Sequence, residues 1–447
     1  LSYDYSRLDL SEMRPLGGSR MEGIARSQGS VIGPISELNI EGMLYLTDFS
    51  IMDLNLAQKA QTRFYGYRLK EYEFFDLEIQ RGQTKLTGPM SMTFGKRIAI
   101  NTNLKGNGHI EDLSSIFFEL PDVYVPAKEI NIDVQGFADH LVIDGNAKIQ
   151  DVSVFGETFD AGEVHLGFDK DFFTLSEFSA ERYFGGNLLA RGSYPSNKEN
   201  AIFEVILTDL PIGTLQRIRE PQNNSEKSIR LSSQASGNII LKGADLKPSG
   251  RLILSENVYN GVPIPNTTIS FSQHSKDEFS IVGKGTSKTS LFEFSGTSAH
   301  WFVEPYNFQI QTKNFPIHAF FPMTPSGERT NSGLTSQFRI SYKDGNTNLR
   351  GNVEKAYFGW KDSTFKTILP WAISLQNKEL RVDGFQLRDE NGTTILLRGQ
   401  RMPNKSLSFR ADGQLSLESL RGFMPTVEES FGMATVEARL TGSIDDP

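Results

Sequence analysis

The residues that could perform chemistry are few and scattered along the chain. The histidines form no pair at i and i+4, and their spacing is not that of a metal cluster; they are His109, His140, His165, His274, His300 and His318. A structural or catalytic zinc needs three or four ligands held close together. Ordinary surface and turn roles are therefore favoured for these histidines, and the sequence predicts no metal site.

Three other motifs are also better explained by turns. The segment GKGTSK at residues 283–288 lacks the spacer and the ending of a phosphate-binding loop, and it lies in a hairpin-like stretch. Two acidic pairs, Asp169 with Asp171 and Asp445 with Asp446, flank turn positions where aspartate caps the backbone. Cysteine is absent and no Gly-x-Ser-x-Gly elbow occurs. We therefore predict no catalytic residue, no enzyme activity and no cofactor.

The composition predicts an all-β protein. The 447 residues include 40 Gly and 32 Phe, and many Ser, Thr and Asn alternate with Val, Ile and Leu, as in strands joined by turns. The 46 basic residues are scattered and the net charge is −8, which argues against nucleic acid as a partner. No apolar run approaches the roughly 18 residues of a membrane-spanning helix.

Apolar and polar residues alternate with a period of two in many short runs. Examples are residues 200–208, 238–243, 291–296, 337–343 and 434–442. Dipeptides that tolerate positive φ predict tight turns at Asp144-Gly145, Asp344-Gly345, Asp383-Gly384, Asn391-Gly392 and Asp412-Gly413. The pattern indicates antiparallel meanders with one apolar and one polar face.

A longer period of about 100 residues overlies the hairpins. Strands end in similar corners near Leu120, Leu210, Phe315 and Leu415, at steps of 90, 105 and 100 residues. We therefore predict segments at residues 1–110, 111–210, 211–315, 316–415 and 416–447. Short helical segments are predicted after the later corners, at residues 212–219, 317–323 and 417–431. A short helix is also predicted at residues 53–62, and a mobile loop at 221–227.

The apolar positions of these strands form one predicted lining. They are Phe203, Val205, Leu207, Ile239, Leu241, Leu252, Leu254, Phe292, Phe294, Phe338, Ile340, Ile395, Leu397, Val436 and Leu440. One interpretation makes them the core of stacked β-sandwiches. The other bends one elongated, curved antiparallel sheet into a gutter whose apolar lining is left for acyl chains. Two observations favour the gutter. A sheet can bend at glycines such as Gly243, Gly296 and Gly399, and the sequence lacks the Cys…Trp…Cys frame of an immunoglobulin-type sandwich.

The repeats resemble those of the TamB and AsmA-like family. The likeness lies in the terminal VEARLTGSIDDP at residues 436–447, in LKGADLKPSGRLIL at 241–254 and in DLPIGTL at 209–215. In that family, a strand that ends in Leu-x-Gly-x-x-x-x-Pro is followed by a glycine and a new strand. The chain begins within a strand-like pattern and stops at a turn, so we expect it to be a middle section of a longer protein.

The resemblance implies a function in a bacterial envelope. Proteins of this family are anchored in the inner membrane by one helix, cross the periplasm as a curled sheet with an apolar interior, and meet an outer-membrane partner of the Omp85 class, similar to TamA, through regions outside this segment. A periplasmic location and a conduit for phospholipid acyl chains between the two membranes are the corresponding expectations. Roughly 30 strands spaced at about 4.8 Å would give a ladder on the order of 140 Å.

Two other functions stay open at the level of sequence. An interaction scaffold would assist the assembly of outer-membrane β-barrel proteins by strand addition at exposed sheet edges. A passive adhesin of the sandwich type is the third possibility, and it would require sheets that pair face to face. The conduit is the function that the residues and the resemblance favour together.

Overall fold

A computed structural model describes most of the chain and confirms the predicted all-β, antiparallel fold class. It describes residues 1–12, 21–51, 54–115, 123–154, 157–169, 172–183, 185–195, 197–212, 231–259, 261–300, 303–320, 331–360, 363–404, 406–420 and 431–443. Within these residues, every long element is a strand, and every strand pairing is antiparallel.

The chain forms two compact units, which are described separately. Of the described residues, those within 1–210 and 240–246 belong to the first unit, and those within 211–212, 231–239 and 247–443 belong to the second. The strands of the first unit are β1 Ser2–Asp9, β2 Met21–Ile32, β3 Asn39–Ile51, β4 Leu54–Tyr67, β5 Glu71–Arg81, β6 Thr84–Phe94, β7 Ile98–His109, β8 Val123–Tyr124, β9 Pro126–Phe137, β10 His140–Val154, β11 Glu157–Asp169, β12 Phe172–Glu181, β13 Asn187–Pro195 and β14 Ile202–Ile212, whose last two residues belong to the second unit.

The division between the units runs through β15, Leu231–Lys242. The remaining strands of the second unit are β16 Lys247–Tyr259, β17 Val262–Pro263, β18 Asn266–Ser275, β19 Glu278–Thr286, β20 Leu291–His300, β21 Val303–Phe315, β22 Ser332–Lys343, β23 Asn346–Trp360, β24 Ser363–Thr367, β25 Trp371–Gln376, β26 Glu379–Arg388, β27 Thr394–Arg401, β28 Ser406–Ser416 and β29 Met433–Ser443. In both units, long strands pair with the next long strand along the chain.

Two of the five predicted tight turns are confirmed. Asp344 and Gly345 connect β22 to β23 with φ of 52° and 73°, as a two-residue hairpin with both residues at positive φ requires. Asn391-Gly392 lies between β26 and β27, with Gly392 at φ 89°.

The other three predicted turns are wrong, because these residues lie inside strands. Asp144-Gly145 lies within β10, which pairs with β9 on one side and β11 on the other. Asp412-Gly413 lies within β28, between β27 and β29. Asp383-Gly384 lies in β26 at a register shift between Val382 and Phe385, where Gly384 has φ 69°. An Asp-Gly pair therefore also marks bulges and long paired strands.

The predicted helix at residues 53–62 is wrong as well. Residues 54–67 form β4, paired with β3 and β5. Ala60, Thr62 and Phe64 are buried in strict alternation. Pairing on both sides, together with this period of two, outweighs the helix propensity of the Leu, Ala, Gln and Lys residues in the segment.

Short helical turns follow the ends of three long strands. The helix α1, Ile110–Ser114, directly follows β7, and the helix α2, Leu417–Leu420, directly follows β28. A 3-10 helix, Ile317–Phe320, lies one residue after β21. The helical segments predicted to begin at 317 and 417 are thus confirmed over these residues. Four predicted features lie outside the described residues: the remaining residues of these two helical segments, the Leu120 corner, residues 213–219 of the first predicted helix and the loop at 221–227.

Buried hydroxyl groups fasten the two α-helical turns to neighbouring hairpins. Asp112 Oδ2 in α1 accepts hydrogen bonds from the backbone N–H of Thr84 (3.1 Å) and from its Oγ1 (3.0 Å), and Thr84 is fully buried. In α2, the buried Ser419 Oγ donates to Asp389 and accepts from Thr393 Oγ1 at 3.1 Å. Satisfied polar groups of this kind hold a short helix in one position, because leaving them unpaired would be costly.

Non-glycine residues at positive φ recur at the period of the helical turns. Asp48 in β3, Asp151 in β10 and Glu256 in β16 have φ of 52°, 49° and 53°, and they are 103 and 105 residues apart. At Asp151, the pairing of β10 with β11 passes from Gln150 to Val152. A residue with left-handed φ departs from the extended conformation of a strand, so the backbone direction changes locally at each of these positions.

Candidate functional site

One face of the first unit carries a continuous row of apolar residues across its long strands. Each member stands directly opposite the next in the antiparallel register. This first apolar row consists of Leu8, Ala25, Leu46, Ala60, Ile79, Leu86, Gly106, Ile130, Ala147, Val164, Phe178, Ala190 and Val205. Since opposite residues point to the same side of a sheet, one face of these strands is apolar from β1 to β14.

The opposite face of the first unit is polar. Its neighbouring row pairs Gln61 with Glu78, whose side chains hydrogen-bond at 2.8 Å. Farther along, Lys148 Nζ lies 2.9 Å from Glu129 Oε2, and this hydrogen bond raises the pKa of the lysine. Exposed pairs of this kind contribute little to stability, so their role is to keep this face in water.

Side chains of the first unit itself close the middle of its apolar face. The row members from Leu86 to Val164 are buried, apart from Gly106. Ile110 of α1 belongs to the same core cluster as Val152 and Phe159, which are 0% and 2% exposed. The first unit therefore fills much of its own apolar face.

A second apolar row crosses the long strands of the second unit. It consists of Leu252, Ile269, Gly283, Phe294, Ile310, Phe338, Gly351, Ile373, Val382, Gly399, Phe409 and Leu440. A parallel row on the same face includes Phe271, Ile281, Phe308, Ile340, Leu349, Leu375, Leu380 and Leu407, and it is interrupted by Arg401. The apolar face of the second unit thus extends from β16 to β29.

The second apolar row is only half covered. From Leu252 to Phe409, every side chain in the row is half-buried, and only the glycines Gly283 and Gly351 are fully buried; Leu440 is 45% exposed. The described core cluster of this unit has three buried members, Phe271, Phe279 and Ile281. Residues between two packed sheets would be buried throughout, so this row does not have the burial of a sandwich core.

Polar residues occupy the other face of the second unit. A row adjacent to the second apolar row includes Arg251, Ser270, Ser295, Gln309, Arg339, Arg350, Ser374, Arg381, Gln400, Ser408 and Thr441. Val282 is the single apolar member, and it is 55% exposed. The contrast between the two faces makes the half-covered apolar face the candidate functional site.

The structure places the predicted lining residues on the apolar faces of their strands. Val205 is in the first apolar row, with Phe203 and Leu207 on either side of it in β14. Leu252, Phe294, Phe338 and Leu440 are in the second row. Beside it on the same face lie Ile239, Leu254, Phe292, Ile340, Ile395, Leu397 and Val436. Leu241 lies in the part of β15 that belongs to the first unit. All fifteen are half-buried except the exposed Leu440. Their binding of acyl chains stays a prediction.

Several members of the second row were missed in the sequence. Ile269, Ile310, Ile373, Val382 and Phe409 complete it, and each lies in a run with the same alternation as the predicted strands. A systematic search for period two would have found them. The glycine members carry no such signal, because only the pairing register shows that they belong to the face.

The other residues considered for chemistry have local roles. His140 Nε2 lies 3.0 Å from Asp169 Oδ1, and His318 Nδ1 lies 2.9 Å from Ser332 Oγ. Residues 283–286 of the loop-like motif form the end of β19. Within the described ranges, no three acidic or histidine side chains are grouped as metal ligands, and no helix is long and apolar enough to cross a membrane. Asp171, Asp445 and Asp446 lie outside these ranges.

Tyr72 provides a pH-sensitive test of the first unit's apolar face. Burial raises the pKa of its phenol, and the nearby Tyr3 adds to this shift; its ring packs edge-on against Phe94 at 5.2 Å. The raised pKa stabilises the fold below the ordinary value of about 10, and this contribution disappears as pH rises through the raised value. The absorbance difference between wild type and Tyr72→Phe should therefore titrate above pH 10. A difference that titrates at the ordinary pKa would contradict this packing.

The chain thus belongs to the class of all-β proteins built from antiparallel meanders with one apolar face. Comparison with known protein families, with curated proteins and with solved structures finds no match. The two apolar faces, which differ in how far they are buried, are therefore the features of the chain that bear on its function.

Proposed function

We propose that the protein binds acyl chains on its apolar face and conducts phospholipid between the inner and outer membranes of a bacterial envelope. The observation that carries the proposal is the second apolar row, which crosses twelve strands without a charged residue and stays half covered. Large uncovered apolar surfaces are rare on soluble proteins and mark binding sites. The resemblance to the TamB and AsmA-like family adds the cellular setting, with an Omp85-class partner outside this segment.

The energetics favour an acyl chain as the occupant. Transfer of about 16 methylenes from water to an apolar lining gains up to roughly 12 kcal/mol at about 0.8 kcal/mol each. Such a gain is non-directional, and successive strands offer similar lining, so a chain can slide along the row at little cost. The phosphate headgroup can remain in water beyond the strand ends. No reacting residue is needed for this activity.

Native mass spectrometry of the protein purified from bacterial cells tests the proposal. We expect co-purifying phospholipid, and we expect the delipidated protein to take up a fluorescent phospholipid from detergent. A lipid-free protein that also takes up no fluorescent phospholipid would contradict the conduit. Binding of an unfolded outer-membrane β-barrel protein by such a lipid-free sample would favour the strand-addition scaffold instead.

A further inference from the structure

Four phenylalanine rings in the second unit lie over glycines of the neighbouring strand. Each phenylalanine stands directly opposite its glycine in the register: Phe294 opposite Gly283, Phe308 opposite Gly296, Phe338 opposite Gly351 and Phe409 opposite Gly399. A Cβ atom on these glycines would lie 1.9, 2.2, 2.3 and 2.6 Å, respectively, from a carbon of the ring. Each ring therefore occupies the space where the opposite side chain would begin.

The same arrangement occurs once more on the apolar face of the first unit. Phe203 stands opposite Gly192, and a Cβ atom on this glycine would lie 2.4 Å from the ring. Three of the four pairs of the second unit belong to its apolar row, so the arrangement is concentrated along that row.

A ring that lies on the backbone of the next strand makes the face shallow. Packed sheets are about 10 Å apart, so side chains that stand upright from each sheet fill roughly half of that distance. A phenylalanine that lies down over a glycine spreads its volume across two strand positions at the level of the Cβ atoms. The space that an upright ring would occupy is then free.

We propose that these Phe–Gly pairs act as positioning residues that keep the apolar face of the second unit low enough for a hydrocarbon chain to lie across β19 to β28. This inference rests on the proposed acyl binding. It adds where on the face the hydrocarbon chain lies and how close to the sheet it can lie. The glycines contribute by having no side chain, and the rings contribute the apolar floor. A methyl group on one of these glycines would lift the ring into the path of the chain.

Alanine substitutions of Gly283 and Gly351 test this proposal cleanly. Neither glycine has a positive φ, so alanine strains no backbone there. At Gly283 the three atoms nearest to the new Cβ all belong to the Phe294 ring; at Gly351 the new Cβ would meet the Phe338 ring and, at 2.9 Å, Cγ2 of Ile373. We expect Gly351→Ala to bind a pyrene-labelled fatty acid about tenfold more weakly than wild type. We expect the double variant Gly351→Ala with Phe338→Ala to recover much of this loss but not all of it, because its face is low again while one ring of the apolar floor is missing. Gly167→Ala is the matched control, since the nearest atom to its Cβ would be 3.8 Å away.

A measurement without ligand tests the ring position itself. In glycine-labelled protein, the ring of Phe338 should shift the NMR signals of the Gly351 α-protons upfield, and Phe338→Leu should abolish this shift. Thermal melting of each variant separates loss of binding from loss of folding. An absent ring-current shift in wild type would overturn the inference whatever the variants bind.

The binding outcomes distinguish the two proposals. If wild type binds the fatty acid and Gly351→Ala binds it equally well while remaining folded, the proposed role of the Phe–Gly pairs is wrong, and the proposed acyl binding is unaffected. If wild type binds no fatty acid, the proposed function fails and the inference fails with it. Weaker binding by Gly351→Ala, largely restored in the double variant, supports both.

Discussion

Phe159→Ala is expected to lower the free energy of unfolding by about 3–5 kcal/mol, the range typical of a large aromatic residue removed from a packed core. The ring of Phe159 is 2% exposed and belongs to the core cluster of the first unit. It stands opposite the fully buried Val152, and the guanidinium carbon of Arg182 lies 5.0 Å from the ring centroid. The substitution therefore leaves a cavity and also removes a cation–π contact.

Denaturant titration of the purified protein measures this effect. Phe172→Ala is the matched control, because it makes the same chemical change in the neighbouring strand at a ring that is 44% exposed. We expect a loss of about 1 kcal/mol or less there. Equal losses in the two variants would mean that the first unit does not fill its apolar face with its own side chains.

The fold class could be predicted from the sequence because period-two alternation is local. Runs such as residues 291–296 and 337–343 show their apolar face without any knowledge of their partners. The predicted lining residues in these strands accordingly lie on the apolar face. Tight turns were harder to predict, since Asp144-Gly145 has the composition of a hairpin and lies in the middle of a fifteen-residue strand.

The extent to which each apolar face is buried by its own unit could not be predicted from the sequence. Val164 and Ile310 are both apolar strand residues with row members on either side, yet Val164 is buried and Ile310 is half-buried. The difference depends on long-range packing, such as the position of α1 over the core of the first unit. The Phe–Gly pairs were hidden for a similar reason, because their partners are on different strands and meet only in the correct register.

The two apolar faces differ in how far their own side chains bury them. The first unit gains stability from burying much of its apolar row, whereas under the proposed function the second leaves part of its row exposed for a ligand, at a cost to its own stability. Binding would compensate for this cost, because a ligand that binds only the folded state stabilises it by mass action. Added phospholipid should therefore raise the stability of the second unit more than that of the first.

The second apolar row can be tested with two adjacent substitutions that point to opposite faces. Ile310→Asp places a carboxylate in the middle of the row, between Phe294 and Phe338. An acyl chain over this position would bury an unpaired charge, which is very unfavourable. We expect the affinity for a fluorescent phospholipid to fall at least about 100-fold, equivalent to about 2.8 kcal/mol.

Gln309→Asp introduces the same charge one residue away, on the polar face. Gln309 is exposed and stands opposite Ser295 on one side and Arg339 on the other, so aspartate is readily accommodated there. We expect its phospholipid affinity to stay within about twofold of wild type, and a melting curve for each variant confirms that the protein is folded. Because the two variants share net charge and strand, unequal binding can only come from the face. Equal binding by both would place the acyl chains elsewhere than on the second apolar row.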